Sequence, residues 1–305
     1  MNEAIILKST GSWYQLKDIN TGKIYDARIR GKFKKEKIRN TNPLAVGDRV
    51  HYELEDNNIA WITKINPRKN YIIRKSVNLS KETHIIASNI DLACIIFTLK
   101  YPQTSLGFLN RCLITCEAYQ IPTLIVFNKI DLLSEEDVKE LNEVENIYHS
   151  IGYETLRISA VNKINMAELK ERIVNKITVF LGHSGSGKSS TINALQENLD
   201  LKIATISNYN EKGKHTTTFA QMYDWDFGGS IIDIPGIKEF ELVDIHKEEL
   251  QDYFPEILRE KHSCKYNNCI HVNEPQCAVI DAVKNGKISE KRYAHYLKLI
   301  EELKS

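Results

Sequence analysis

Apolar and polar residues alternate through "AIILKS", "WYQLKD", "KIYDARIR", "DRVHYEL" and "AWITKI" in the first 65 residues. A period of two is the spacing at which a strand shows one face to a core and the other to water. The turn formers "STGS", "NTG", "NPLAVGD" and "EDNN" separate these runs, so the segment reads as five short strands. A small β-barrel of the OB type is the expected architecture. From about residue 85 the pattern changes. Apolar runs "DLACIIFTL", "PTLIVF", "TLRIS" and "ITVFL" alternate with amphipathic stretches near 105–119, 134–150 and 165–176, the signature of a parallel sheet with helices on both faces. A helix from Lys188 to about Leu199 follows, then a polar segment and strands "FAQMYDW" and "GSIID". Near the C-terminus, Ile288, Tyr293, Tyr296, Leu297 and Ile300 recur at helical spacing within "ISEKRYAHYLKLIEELK" and predict a packing face.

A chain of 305 residues has room for about two domains and a small third. The expected division is a barrel over 1–72, an α/β domain over 73–242 and a mostly helical domain over 243–305. Apolar runs such as "ITVFL" and "IIF" are far too short to span a bilayer, and "MNEAIILKST" lacks the basic and apolar regions of a signal peptide. A cytosolic protein, expected to be a monomer with no membrane association, fits these features. In a reducing compartment the six cysteines argue against a disulfide framework. Cys94, Cys112 and Cys116 read as buried thiols.

Charge is distributed unevenly. Residues 1–75 hold 16 Lys and Arg against 8 Asp and Glu, an excess of eight positive charges in a chain of net +1. The excess concentrates in "RIRGKFKKEKIR" and "KINPRKNYIIRK", with Trp13, Tyr14, Tyr25, Phe33, Tyr52 and Trp61 interleaved. Cationic loops beside stacking aromatics suit single-stranded or irregular RNA. The plainer reading is a solvated basic surface around core aromatics.

Four motifs stand at the ends of predicted strands. "GHSGSGKSS" spans Gly182, His183, Ser184, Gly185, Ser186, Gly187, Lys188, Ser189 and Ser190 and fits the phosphate loop between a strand and a helix. Its backbone N–H groups would close around phosphate at a helix N-terminus. Lys188 would reach the β- and γ-phosphate oxygens, and the Ser189 hydroxyl would ligate Mg²⁺. "NKID" (Asn128, Lys129, Ile130, Asp131) ends an apolar strand. The Asp131 carboxylate can accept from guanine N1–H and the exocyclic amine, whereas adenine has no donor at N1, so the motif selects GTP over ATP. Asn128 would tie this loop to the phosphate loop, Lys129 would cover a face of the base, and Ser159 with Ala160 would present the Ala160 amide to guanine O6. "DIPG" places Asp233 to hold a Mg²⁺ water and the Gly236 amide near the γ-phosphate.

The base-reading motif precedes the phosphate loop, the reverse of the usual GTPase order. A circular permutation explains it. Joining old termini and opening an exposed loop elsewhere leaves neighbouring strands in place, and a site at the strands' carboxyl edge survives the change.

The chain resembles the ribosome small subunit-dependent GTPase A family (RsgA) over essentially its whole length. The resemblance rests on "VGDRV", "NKIDL", "GHSGSGKSSTIN", "GKHTTT", "DIPG" followed by "KEFEL", "YFPEI" and "CKYNNCIHVNEPQCAV" in that order. Ser105 and Leu106 fall in a loosely matched stretch, and Thr191 stands where leucine is common. The resemblance implies a permuted GTPase with an N-terminal OB barrel and a C-terminal zinc domain, acting on the small ribosomal subunit and its rRNA in late maturation. In C-x4-C-x-H-x5-C, three thiolates and an imidazole suit one structural Zn²⁺. The expected ligands are Cys264, Cys269, His271 and Cys277. His262 is a rival nitrogen ligand, and the resemblance favours His271.

Ile237 stands where many GTPases place the glutamine that orients attacking water, so low intrinsic turnover is expected. "GKHTTT" offers His215 as the catalytic replacement and Thr217, among three threonines, as a Mg²⁺ ligand. Because the segment after "DIPG" runs straight into the zinc domain, hydrolysis is expected to reorient that domain, with GTP favouring subunit binding and GDP release. An RNA-binding scaffold with negligible turnover and a phosphotransferase are the rival readings. "NKID" and the lack of a recognisable acceptor domain weigh against the second.

Overall fold

The computed structural model describes residues 2–11, 13–30, 43–55, 58–75, 83–197, 199, 220–234 and 242–303. The front end forms strands β1 (Asn2–Ser9), β2 (Tyr14–Asp18), β3 (Ile24–Ile29), β4 (Arg49–Leu54) and β5 (Ala60–Ile65). They pair in the order β1-β2-β3-β5-β4 and close when β1 pairs with β4. Closure removes both edges, as the alternating pattern predicted. Ala4, Ile6, Tyr14, Leu16, Val50, Tyr52, Ala60 and Ile62 fill the barrel. Period-two spacing turns Tyr14 and Tyr52 inward, and they are buried at 3% and 2% exposure. These two belong to the core and not to a stacking surface. Trp13 stays on the surface, with the Arg28 guanidinium 3.8 Å from its ring centroid.

A hairpin of β6 (Tyr71–Lys75) and β7 (Thr83–Ser88) links barrel to α/β domain. Within "KINPRKNYIIRK" the alternation was hidden by its cations. The α/β domain contains β8 (Leu92–Phe97), β9 (Thr123–Phe127), β10 (Glu154–Arg157), β11 (Ile177–Gly182), β12 (Gln221–Asp224) and β13 (Ser230–Asp233). Their order is β10-β9-β8-β11-β13-β12. All neighbours are parallel except β12 with β13. Every residue of β8 is buried, as a central strand covered on both faces requires.

Helices α1 (Leu106–Ala118) and α2 (Glu135–Ile151) supply Leu109, Leu113, Leu141 and Tyr148 to the core on one face. On the other face, α3 (Met166–Ile173) and α4 (Lys188–Leu195) supply Leu169, Ile173, Ile192 and Leu195. Both of the latter end earlier than the apolar spacing suggests. Asn175 takes a left-handed φ of 57° and its N–H donates to Gly228 O, while Gln196 leaves helical geometry at φ −152° and accepts from the Asp226 N–H.

Strand order explains the permuted motifs. Chain order runs β8, β9, β10 outward to one edge, then returns to β11 beside β8 before continuing to β12 and β13. The switch point between β8 and β11 therefore lies at the centre of the sheet, where open α/β sheets bind ligands at their carboxyl edge.

The C-terminal region packs helices Pro255–Lys261, Ala278–Lys284 and Glu290–Glu302 around Phe254, Ile257, Val279, Tyr296 and Ile300. Ile114 of α1 belongs to the same cluster. Of the predicted packing face, Ile288, Tyr296 and Ile300 are buried, and Tyr293 and Leu297 pack against the cluster. A buried ion pair inside this region also reaches the sheet domain through Asn110 of α1. Arg292 donates to both Glu256 oxygens at 2.6 and 3.2 Å and to Asn110 Oδ1 of α1 at 2.6 Å. The Tyr148 hydroxyl of α2 donates to the same Asn110 oxygen. Such a pair holds the C-terminal helices to each other, because removing one partner leaves an uncompensated buried charge. Hydrolysis-driven reorientation of the C-terminal region about α1 would have to break the Arg292–Asn110 bond.

Candidate nucleotide site and metal centre

The phosphate loop follows β11 and delivers the chain into α4. Gly187 begins that helix at φ 91°, where a Cβ would lie 2.3 Å from Asn128 Nδ2. Both the left-handed backbone and the close approach demand glycine. Lys188 donates to Gly182 O and His183 O, so its ammonium lies across the mouth of the loop. Burial depresses the Lys188 pKa, against the opposing pull of Cys112 and Asp233. An arriving phosphate oxyanion would offset that cost and favour the charged form. Ser189 and Ser190 are exposed on the first turn of α4, and Asp233 ends β13.

Asn128 joins the other motifs to this loop. It follows β9, is buried, donates from Nδ2 to Ser186 O at 3.0 Å, and accepts at Oδ1 from the Ala160 N–H at 3.3 Å. One amide thus ties the loops after β9, β10 and β11, as its sequence position suggested for two of them. The Ala160 amide expected to read guanine O6 is engaged by Asn128 here. Ser159 is fully buried, and its hydroxyl accepts from the Asn162 N–H. Lys129 takes a left-handed φ of 64° and donates to Tyr101 O and, at 2.8 Å, to Gly185 O. Ile130 and Asp131 begin the short helix Ile130–Leu132, with the Asp131 side chain exposed. His183 sets its ring edge-on to Phe108 of α1 at 6.0 Å.

His215, Thr217 and Gly236, together with Ile237, lie outside the described residues. The sequence reading missed the backbone oxygen of Tyr101, which no motif marks.

Cys264, Cys269, His271 and Cys277 converge, their ligand atoms all within 4.8 Å of one another. His271 Nδ1 lies 3.3, 3.3 and 3.6 Å from the sulfurs of Cys269, Cys277 and Cys264, and Cys264 Sγ lies 3.9 Å from Cys277 Sγ. Tetrahedral donors at metal distances of ~2.3 Å for sulfur and ~2.0 Å for nitrogen would be separated by roughly 3.5–3.8 Å. The donor set fits. His271 Nε2 faces Gln251 Oε1 at 2.9 Å, and a proton on that nitrogen leaves Nδ1 free to ligate. Burial pushes the Cys269 thiol up to about 12, so a thiolate there calls for a cation. His262 is exposed and not part of the cluster.

Base choice can be checked directly. Asp131→Asn should weaken GTP binding by about 2–4 kcal/mol, because a charged bidentate acceptor is lost, and should favour xanthine nucleotides, which can accept from the new amide. Titration of GTP and XTP against both proteins measures the exchange, and unchanged GTP affinity would contradict the assignment.

Comparison with known proteins agrees with this geometry. The RsgA GTPase family model matches residues 65–243 and the RsgA N-terminal domain model matches residues 3–62. Small ribosomal subunit biogenesis GTPase RsgA of Flavobacterium psychrophilum is 50% identical over 300 residues, covering 97% of this chain and 92% of that one. The protein of the same name from Bacteroides fragilis is 46% identical, covering 98% and 96%. Among solved structures, YjeQ from Thermotoga maritima superposes with a TM-score of 0.83 at 33% identity, covering 99% of this chain and 98% of that one. YloQ, described as a circularly permuted GTPase, gives 0.77 at 30%, covering 99% and 94%. With its closed barrel, permuted sheet and Cys/His cluster, the chain belongs to the RsgA GTPase family.

Proposed function

We propose that this protein is a GTPase of small ribosomal subunit biogenesis, whose hydrolysis is stimulated by the subunit and which acts in its late maturation. The observation that carries this reading is the convergence of "NKID", Ser159–Ala160 and the phosphate loop on Asn128, within a chain about half identical to relatives bearing that name. Water attacks the γ-phosphorus, the bond to the bridging β–γ oxygen breaks, and GDP leaves with that electron pair. Asp131 selects guanine, Lys188 and the loop amides, with that of Gly236, hold the phosphates, and the exposed Arg28–Trp13 pair, with the excess of Lys and Arg in the first 75 residues, supports an rRNA contact by the barrel. Ser189, Thr217 and Asp233 would hold Mg²⁺, which when bound neutralises developing phosphate charge. The Cys264, Cys269, His271 and Cys277 cluster would hold one structural Zn²⁺. We assign the protein to the cytoplasm as a monomer, with domain boundaries near residues 72 and 242; among the described residues no helix is long and apolar enough to cross a membrane.

The gate we infer works toward the barrel. Residues 200–219, which include "GKHTTT", lead directly into β12, and β12 pairs with β1 at Gln221 and Lys8. Lys17 also bridges to Asp224 at 2.6 Å. The β12–β1 pairing thus joins the nucleotide domain to the barrel, while the C-terminal region is joined to α1 through Arg292 and Asn110.

Catalysis is assigned to His215. His215→Ala should bind GTP normally and keep slow basal hydrolysis, while the rate with purified small subunits should fall by roughly 10²-fold or more. Phosphate release with and without subunits measures this, alongside subunit binding in a non-hydrolysable analogue. Full stimulated turnover would remove His215 from the mechanism, and no stimulation of the unmodified protein would favour a scaffold.

Metal analysis tests the zinc assignment. About one zinc per chain is expected, and Cys269→Ser should lower occupancy and subunit binding more than nucleotide binding. Metal-free protein with an intact C-terminal fold would contradict it.

A further inference from the structure

Between β8 and α1 the chain makes a turn that none of the four motifs includes. Its backbone is pinned from several sides. Thr98 Oγ1 donates to Pro102 O at 2.6 Å, Thr104 N to Thr98 O at 2.8 Å, and Thr98 N to Thr104 Oγ1 at 3.2 Å. Lys100 pairs with Asp137, which also closes the capping box at the start of α2 with Ser134. At the apex, Tyr101 takes a left-handed φ of 61° and its side chain is 62% exposed. A bulky residue with positive φ is uncommon and persists where surrounding contacts impose it, often at functional sites.

The contacts of this apex locate it within the nucleotide site. Lys129 Nζ donates at once to Tyr101 O and to Gly185 O. Lys129 belongs to the base-reading motif and Gly185 to the phosphate loop. Pro102 closes on the same loop, since a Cβ at Gly185 would lie 3.0 and 3.1 Å from its Cδ and Cγ. In any nucleotide that spans these two motifs, the ribose lies between base and phosphates, at the junction that the Tyr101 backbone oxygen borders.

We propose that the Tyr101–Pro102 turn is a further wall of the guanine-nucleotide site, its backbone positioning Lys129 against Gly185 and its Tyr101 ring contacting the ribose of bound GTP or GDP. This rests on the GTP-binding reading above. An aromatic ring laid on the C–H face of a sugar excludes water at small entropic cost. The contact concerns binding and leaves the γ-phosphate untouched. It serves GTP and GDP equally.

Equilibrium titrations of the full-length protein with GDP, a non-hydrolysable GTP analogue and an acyclic-sugar GDP analogue test it. Tyr101→Ala should weaken GDP and the GTP analogue alike by about 5- to 10-fold, with the acyclic analogue bound as in the unmodified protein. Tyr101→Phe should keep the affinity. Unchanged affinity in Tyr101→Ala would overturn the proposal. So would an equal loss for the acyclic analogue, which would make the turn a scaffold without ribose contact. An unmodified protein that binds no guanine nucleotide would instead refute the GTP reading itself.

Discussion

A single side-chain amide holds the nucleotide site in one piece. Asn128 spends its donor on the phosphate loop at Ser186 and its acceptor on the loop after β10 at Ala160. Both bonds are buried, where an unmade partner costs about 1–3 kcal/mol. The loops after β9, β10 and β11 are thereby fixed relative to one another across β8, and the glycine at 187 exists partly because that amide stands where its Cβ would be. Lys129 repeats the device from the next position by bridging Tyr101 and Gly185.

This bond set explains why permutation is tolerated. The amide needs β9, β10 and β11 to end on the same edge of the sheet, and it is indifferent to which strand comes first in the chain. Parallel pairing of β8 with both β9 and β11 meets that need whether the phosphate loop precedes the base motif or follows it. Relocating the termini altered the neighbours of "DIPG" instead, so that β13 leads toward the C-terminal region. There the fold is held by other means: a Cys/His cluster that fits a metal and an Arg292–Glu256 pair sharing Asn110 with Tyr148.

Much of this was legible in the sequence, and the reasons differ by element. The barrel strands could be read because alternation reports one buried face, and the same alternation places Tyr14 and Tyr52 inside. Asn128, Lys129 and the phosphate loop could be placed together because their motifs stand at strand ends, where chemistry and local backbone coincide. The Cys264 to Cys277 spacing named the cluster, and the fold removes His262 from it. What stayed hidden depends on distant partners. Arg292 looks like one more helix-surface cation until Glu256, thirty-six residues away, is folded against it. The β6–β7 hairpin was masked by its cations. Tyr101 carries no motif, and its place at the site comes from a backbone oxygen that any residue possesses.

The most direct measurement of the central claim is calorimetric titration of Asn128→Ala with GTP and GDP, alongside its thermal unfolding. Loss of two buried hydrogen bonds that tie the site together should weaken both nucleotides by about 10- to 100-fold, with cooperative unfolding retained. Nucleotide affinities equal to those of the unmodified protein would contradict an account in which that amide assembles the site.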